Sequence, residues 1–104
     1  MTTGPGGGTG TRAVELIFAE LRKAEAKFPG WPDDPIHGAG ILCEESGEAM
    51  QAALDYYYGR TTDTDRLKKE VAQAGAMAIR LLVSIFKGEL IRDSGPGPSA
   101  KEET

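Results

Sequence analysis

The seven residues Pro29-Gly30-Trp31-Pro32-Asp33-Asp34-Pro35 constrain this chain more than any other stretch, because three prolines so close together cannot sit inside a helix. Each removes a backbone donor and fixes φ, so whatever precedes Pro29 must stop there. Asp34-Pro35 then has the form of a helix start, an N-cap aspartate followed by a first-turn proline. Upstream, Val14, Ile17, Phe18, Leu21 and Phe28 recur at three- and four-residue steps, which predicts one helix from about Thr11 to Phe28. Downstream, a second helix is expected to carry Ile36, Cys43, Met50, Leu54 and Tyr57 on one stripe and to close near Gly59. Thr61 to Asp65 is rich in capping residues. From Arg66 to about Phe86 the period is helical again and apolar almost all round, which predicts a central, buried third helix. No alternating stretch has strand character, so the expected class is all-α with three main helices.

The ends differ from this middle. Glycines crowd residues 1–10, and Ser94-Gly95-Pro96-Gly97-Pro98-Ser99 opens a polar stretch through residue 104. Both are expected to be flexible tails flanking one domain over residues 11–93. A domain of that size buries a modest share of its surface, and three helices with a largely apolar third do not close a good bundle alone. A homodimer or homotetramer is therefore expected, its four-helix core completed across a twofold axis. Twelve Lys plus Arg against sixteen Asp plus Glu give a net charge of −4, with no basic run to track a duplex backbone. One cysteine, Cys43, and one histidine, His37, exclude an intrachain disulfide and the usual zinc sets. The first residues lack the pattern of a secretory signal, and the apolar run from Ala76 to Phe86 is short and contains Arg80. A cytoplasmic, membrane-free setting is expected.

The chemistry concentrates in Glu44-Glu45-Ser46-Gly47-Glu48, in the middle of the second helix. Glu45 and Glu48 are i, i+3 neighbours and Glu44 and Glu48 are i, i+4 neighbours, so the three carboxylates share one side. Such a cluster either faces water or binds a cation. On the third helix Glu70 and Gln73 are again i, i+3 neighbours, in line with Met77 and Leu81. If the two helices pack antiparallel, Glu45, Glu48, Glu70 and Gln73 can converge on a hard, oxygen-liganded cation, Mg²⁺ first and Mn²⁺ as a substitute.

The pattern E-E-x-x-E at Glu44 to Glu48, followed some two dozen residues later by E-x-x-[D] at Glu70 to Gln73, resembles the MazG-type all-α nucleoside triphosphate pyrophosphohydrolases. The resemblance covers most of the central chain. It implies a MazG-like helical bundle and Mg²⁺-dependent hydrolysis of a (deoxy)nucleoside triphosphate to the monophosphate and pyrophosphate. It also implies Glu45, Glu48 and Glu70 as metal ligands, with Glu44 as a further ligand or as the group that orients or deprotonates the attacking water. Gln73 departs from the pattern, which has Asp there. It either ligates through its carbonyl, costs the site a second metal, or marks a non-catalytic MazG-like module that binds nucleotide or protein.

Other residues have two readings each. His37 either touches a phosphate or a ligand, or serves only the helix start. Trp31 either stacks on a base or packs as a lid on the bundle end. Glu25 points to the carboxylate cleft or lies at its rim. Lys23, Lys27, Arg60, Lys68, Lys69 and Arg80 include the candidate phosphate clamps. Tyr56 to Tyr58, Met50, Met77 and Leu81 read as core or subunit interface, and Cys43 as a small core residue. A di-iron carboxylate bundle would call for Glu-x-x-His pairs, which this chain lacks.

Overall fold

A computed structural model describes residues 8–92, and the two expected tails lie outside these apart from Gly8 to Gly10. Three helices follow in order: α1 over Thr9–Lys27, α2 over Pro35–Tyr57 and α3 over Asp65–Lys87. Among the described residues there is no strand. No described helix is long and apolar enough to cross a membrane.

Local chemistry sets the boundaries. α1 begins at Thr9, two residues before the expected start, with Gly8 in extended conformation as its N-cap. At α2 the Asp34 carboxylate accepts from the Ile36 amide at 2.9 Å, with Pro35 in the first turn, so the start read from the sequence is the one observed. Gly59, at φ 77°, follows the cap of α2 in the left-handed region that only glycine enters without strain. The turn into α3 is held by Asp63, whose carboxylate accepts from the Asp65 amide at 2.8 Å, while the N-cap, Thr64, makes no side-chain bond.

α1 and α2 both pack on α3 and not on each other, so the fold is a layer with α3 in the middle. Two glycines let the helices approach. A Cβ on Gly75 would lie 3.0 Å from Ile17 Cδ1 of α1, and one on Gly38 would lie 3.2 Å from Leu81 Cδ1 of α3. The buried apolar core is small: Ala52, Ala72, Ala76 and Met77. α3 is central as expected, yet one side of it is open, leaving Val71, Leu82, Ile85 and Phe86 exposed.

The apolar stripe of α2, read from the sequence as core or subunit interface with Cys43 as a small core residue, points outward. Ile36 is 81% exposed and Met50 61%, and Cys43 is exposed as well. The buried side is built from Gly38 and Ala52, with Ile41, Leu42, Glu45, Ala49 and Ala53 half-buried beside them. That face lies roughly opposite the stripe on the helix. Small residues permit close packing against α3, and their low hydrophobicity is why periodicity favoured the other side.

The connection from Phe28 to Asp34 crosses α3 at Arg80, which is buried. Arg80 Nη2 donates to the Phe28 carbonyl at 2.6 Å and to the Gly30 carbonyl at 3.0 Å, and its guanidinium lies 5.0 Å from the Trp31 ring. From the other end of the chain, the Ile91 amide donates to the Asp33 carbonyl at 2.8 Å. Arg80 is therefore a structural fastener and not a free cation. Arg80→Leu should lower unfolding free energy by about 3 kcal/mol, since it leaves two carbonyls unpaired in a part-buried place. Urea denaturation followed by far-UV circular dichroism checks this.

Asp55 fastens the opposite end. Its carboxylate accepts from Arg60 Nε and Arg66 Nη1, each at 2.7 Å, and from Gln51 Nε2 at 3.1 Å. The Arg60 and Arg66 hydrogen bonds hold its pKa down at about 2, against an ordinary 3.8. A lowered folded-state pKa contributes stability that is present above 3.8 and lost as pH falls through about 2. Acid unfolding of Asp55→Asn should accordingly be shallower than that of the parent between those two values, a comparison read by circular dichroism.

Candidate functional site

The antiparallel packing of α2 on α3 brings Glu45 and Glu48 of one helix to Glu70 of the other. One carboxylate oxygen from each lies within 4.8 Å of the other two. Glu45 and Glu70 are half-buried, and Glu48 is exposed. One oxygen of Glu45 and one of Glu70 are buried without a hydrogen-bond partner. Buried carboxylate oxygens ordinarily find a donor or a cation, so this pair marks the cluster off from a solvated acidic face.

Electrostatics agree with the geometry. The Glu45 pKa is raised above 4.5, first by burial and then by repulsion from Glu48, Glu70 and Glu44. Glu44 is exposed and adjacent in sequence. It adds charge to the cluster without joining the convergent three.

Beside the carboxylates a cleft of about 500 Å³ opens between α1 and α2, with α3 as its floor. Glu45, Ile41, Gln73, Met77 and Arg80 line it from α2 and α3, and Glu20, Lys23 and Lys27 line it from α1. Lys69 contributes a further ammonium, and Phe28 and Trp31 form the end under the connection. Of the cations read as candidate clamps, Lys23, Lys27, Lys69 and Arg80 line this cleft, with Lys23 in an ion pair with Glu20. Arg60 is paired with Asp55, Lys68 lies 3.9 Å from Asp65, and Arg80 holds the connection.

The remaining candidates fall on both sides. Trp31 lines the cleft and is half-buried, with its Nε1 facing Gly38 and lacking a partner. His37 is exposed in the first turn of α2 and is not among the cleft residues. Glu25 is exposed and outside the cleft, and the α1 carboxylate that does point in is Glu20. Five residues along a helix turn a side chain by about 140°, which carries Glu25 away from the packed face. Gln73 does not lie free beside the cluster: its Nε2 donates to Glu20 Oε1 at 3.3 Å. Glu20 also accepts from Lys23 at 3.1 Å and is 6% exposed. Sequence reasoning missed Glu20. Its signal was the stripe Ile17, Glu20 and Ala24, in which a carboxylate occupies a packed position.

Compared with protein-family models, curated proteins and solved structures, the chain matches none. The geometry and chemistry of these residues therefore carry the functional reading.

The three carboxylates repel one another when nothing lies between them. Because the Glu45 pKa is raised, its share of stability is present below 4.5 and lost as pH rises through the folded-state value. In EDTA at about pH 7.5, Glu45→Gln should thus melt higher than the parent, and the gap should close on acidification towards 4.5. Differential scanning calorimetry of the two proteins across that range reads it.

Proposed function

We propose that this chain is a Mg²⁺-dependent, MazG-like nucleoside triphosphate pyrophosphohydrolase that cleaves a (deoxy)nucleoside triphosphate to the monophosphate and pyrophosphate. The observation that carries the reading is the convergence of Glu45, Glu48 and Glu70, two of them with an unpartnered buried oxygen, next to a cleft that three lysines line. An all-oxygen, all-carboxylate donor set suits a hard divalent cation, and Mn²⁺ is the natural substitute. Glu45, Glu48 and Glu70 would hold it. When bound, Mg²⁺ supplies charge neutralisation at the phosphate oxygens and acidifies a coordinated water.

The chain's own residues do the rest. Lys27 and Lys69, with the ion-paired Lys23 beside them, attract and orient the phosphates by charge, which is most of what phosphoryl chemistry asks of a protein. Trp31 and Phe28 give the cleft an apolar end against which a base can lie, with Trp31 already steadied by Arg80. Glu44, exposed and next in sequence to a ligand, is the carboxylate free to accept a proton from the attacking water.

A second reading, a non-catalytic MazG-like module that binds nucleotide or protein, is favoured by one observation. Gln73 gives its amide nitrogen to Glu20, whereas an aspartate at this position would offer the cluster a fourth carboxylate. Pyrophosphate release from a panel of ribo- and deoxynucleoside triphosphates separates the two. Turnover should require Mg²⁺ or Mn²⁺, stop with EDTA and fall by at least about a thousandfold in Glu48→Ala. Saturable nucleotide binding without release would establish the second reading instead.

The same reading takes the protein to be a homodimer or homotetramer. No large side chain is fully buried among the described residues, and the outward face of α2 repeats Ile36, Gly40, Cys43, Gly47, Met50, Leu54 and Tyr57 at alternating steps of four and three. That is a heptad seam, the pattern of a helix paired with another helix. In an antiparallel twofold pairing, the register that sets Ile36 against Leu54 of a second copy also sets Met50 against Gly40 and Cys43 against Gly47. Larger residues then meet glycines towards the centre of the seam. Met50→Lys should dissociate the assembly to monomer by sedimentation equilibrium, with helicity retained.

A further inference from the structure

We propose that Glu20 is the positioning residue of this site: it carries on α1 the negative charge that the MazG-like pattern carries at position 73, and it fixes the Gln73 amide with its carbonyl oxygen turned from α1. The inference rests on the functional reading above for what the oxygen is used for, but the pairing itself stands on geometry alone.

An ionised carboxylate only accepts, so the Gln73 group 3.3 Å from Glu20 Oε1 is the NH₂ end of the amide. A planar amide that gives its nitrogen to one side turns its oxygen to another. Both residues line the cleft that Glu45 also lines, which sets the Gln73 amide in the same cleft as one member of the carboxylate cluster. The other Glu20 oxygen is taken by Lys23 at 3.1 Å, which leaves the carboxylate held from two sides in a packed position.

The same geometry explains why glutamine occupies this position. An aspartate in place of Gln73 would direct a second anion towards a carboxylate that is 6% exposed and would remove the N–H that Gln73 donates to it, leaving Lys23 as its donor. A neutral amide instead satisfies Glu20 and still offers an oxygen. The cleft and the cluster beside it therefore retain four carboxylates, Glu20, Glu45, Glu48 and Glu70, with the fourth contributed by α1. A residue that orients a ligand in this way ordinarily alters metal affinity about ten- to a hundredfold when it is replaced.

A double-mutant cycle on the full chain tests the pairing, using Gln73→Asp, Glu20→Gln and the two together. Melting in EDTA at about pH 7.5 should drop by about 4–8 °C or more in Gln73→Asp. The double variant should recover most of it, because the amide introduced on α1 can donate to the carboxylate introduced on α3. Additive effects, or a Gln73→Asp protein as stable as the parent, would overturn the proposal. Mn²⁺ binding, followed by electron paramagnetic resonance of the free ion, should weaken about tenfold in Glu20→Gln. Unchanged affinity would overturn the positioning role. If Glu20→Gln does not fold, Gln73→Met removes the same bond from the α3 side and should weaken Mn²⁺ binding similarly. A parent protein that binds no Mn²⁺ and releases no pyrophosphate defeats the functional reading, whereas the metal-free melting cycle still decides whether Glu20 and Gln73 are coupled.

Discussion

One buried guanidinium organises this molecule. α1 and α2 touch only α3, so their relative placement depends on α3 and on the short connection that joins them. Arg80 holds that connection by two carbonyl oxygens and one aromatic face, all outside its own helix. The charge of Arg80 is spread over a planar group that can serve both carbonyls and the ring together, which a lysine ammonium cannot do. The Pro-rich stretch also becomes intelligible. Its prolines keep the backbone extended and stop it from folding into a helix, so that its carbonyls remain free for Arg80.

At the site, fold and chemistry pull in different directions. A helix face that packs well against α3 would be apolar throughout, yet this one carries Glu45 opposite Glu70, each with an oxygen lacking a partner. Small neighbours make this tolerable. Gly38 and Ala52 allow α2 to approach closely on either side of the charged patch, so packing density flanks the repulsion. The unpartnered oxygens and the close packing on either side of them are what the proposed cation site rests on.

Much of the architecture was legible in the sequence because it rests on local rules. The Asp34-Pro35 start and the Gly59 stop follow from capping chemistry, and helical spacing puts Glu45 and Glu48 on one side of α2, while their meeting with Glu70 depends on the antiparallel packing that the sequence offered only as a condition. The α2 core face was not legible. Two opposed sides of that helix are both apolar, and the one with larger residues, Ile36 and Met50, is the one left open. Glu20 escaped for a related reason. Periodicity weighs hydrophobic residues, and a carboxylate in the packed stripe of α1 lowers the signal of the face it belongs to. Phe18, by contrast, drew attention to a side of α1 that is exposed. The role of Arg80 needed tertiary structure outright, since its partners are main-chain oxygens some fifty residues away that leave no side-chain pattern to read.

The separation of α1 from α2 makes the two walls of the cleft independent parts. The wall with Lys23 and Lys27 is seated through the Gly75 and Ile17 contact, and the wall with Glu45 through the Gly38 and Leu81 contact. A Cβ at Gly75 meets only Ile17 of α1, whereas one at Gly38 meets both Leu81 of α3 and Trp31 of the connection, so the two walls respond differently to added bulk. Bulk added at Gly75 can thus widen, narrow or skew the cleft from the α1 side without disturbing the carboxylates that meet across α2 and α3, whereas bulk added at Gly38 shifts Glu45 and Glu48 against Glu70.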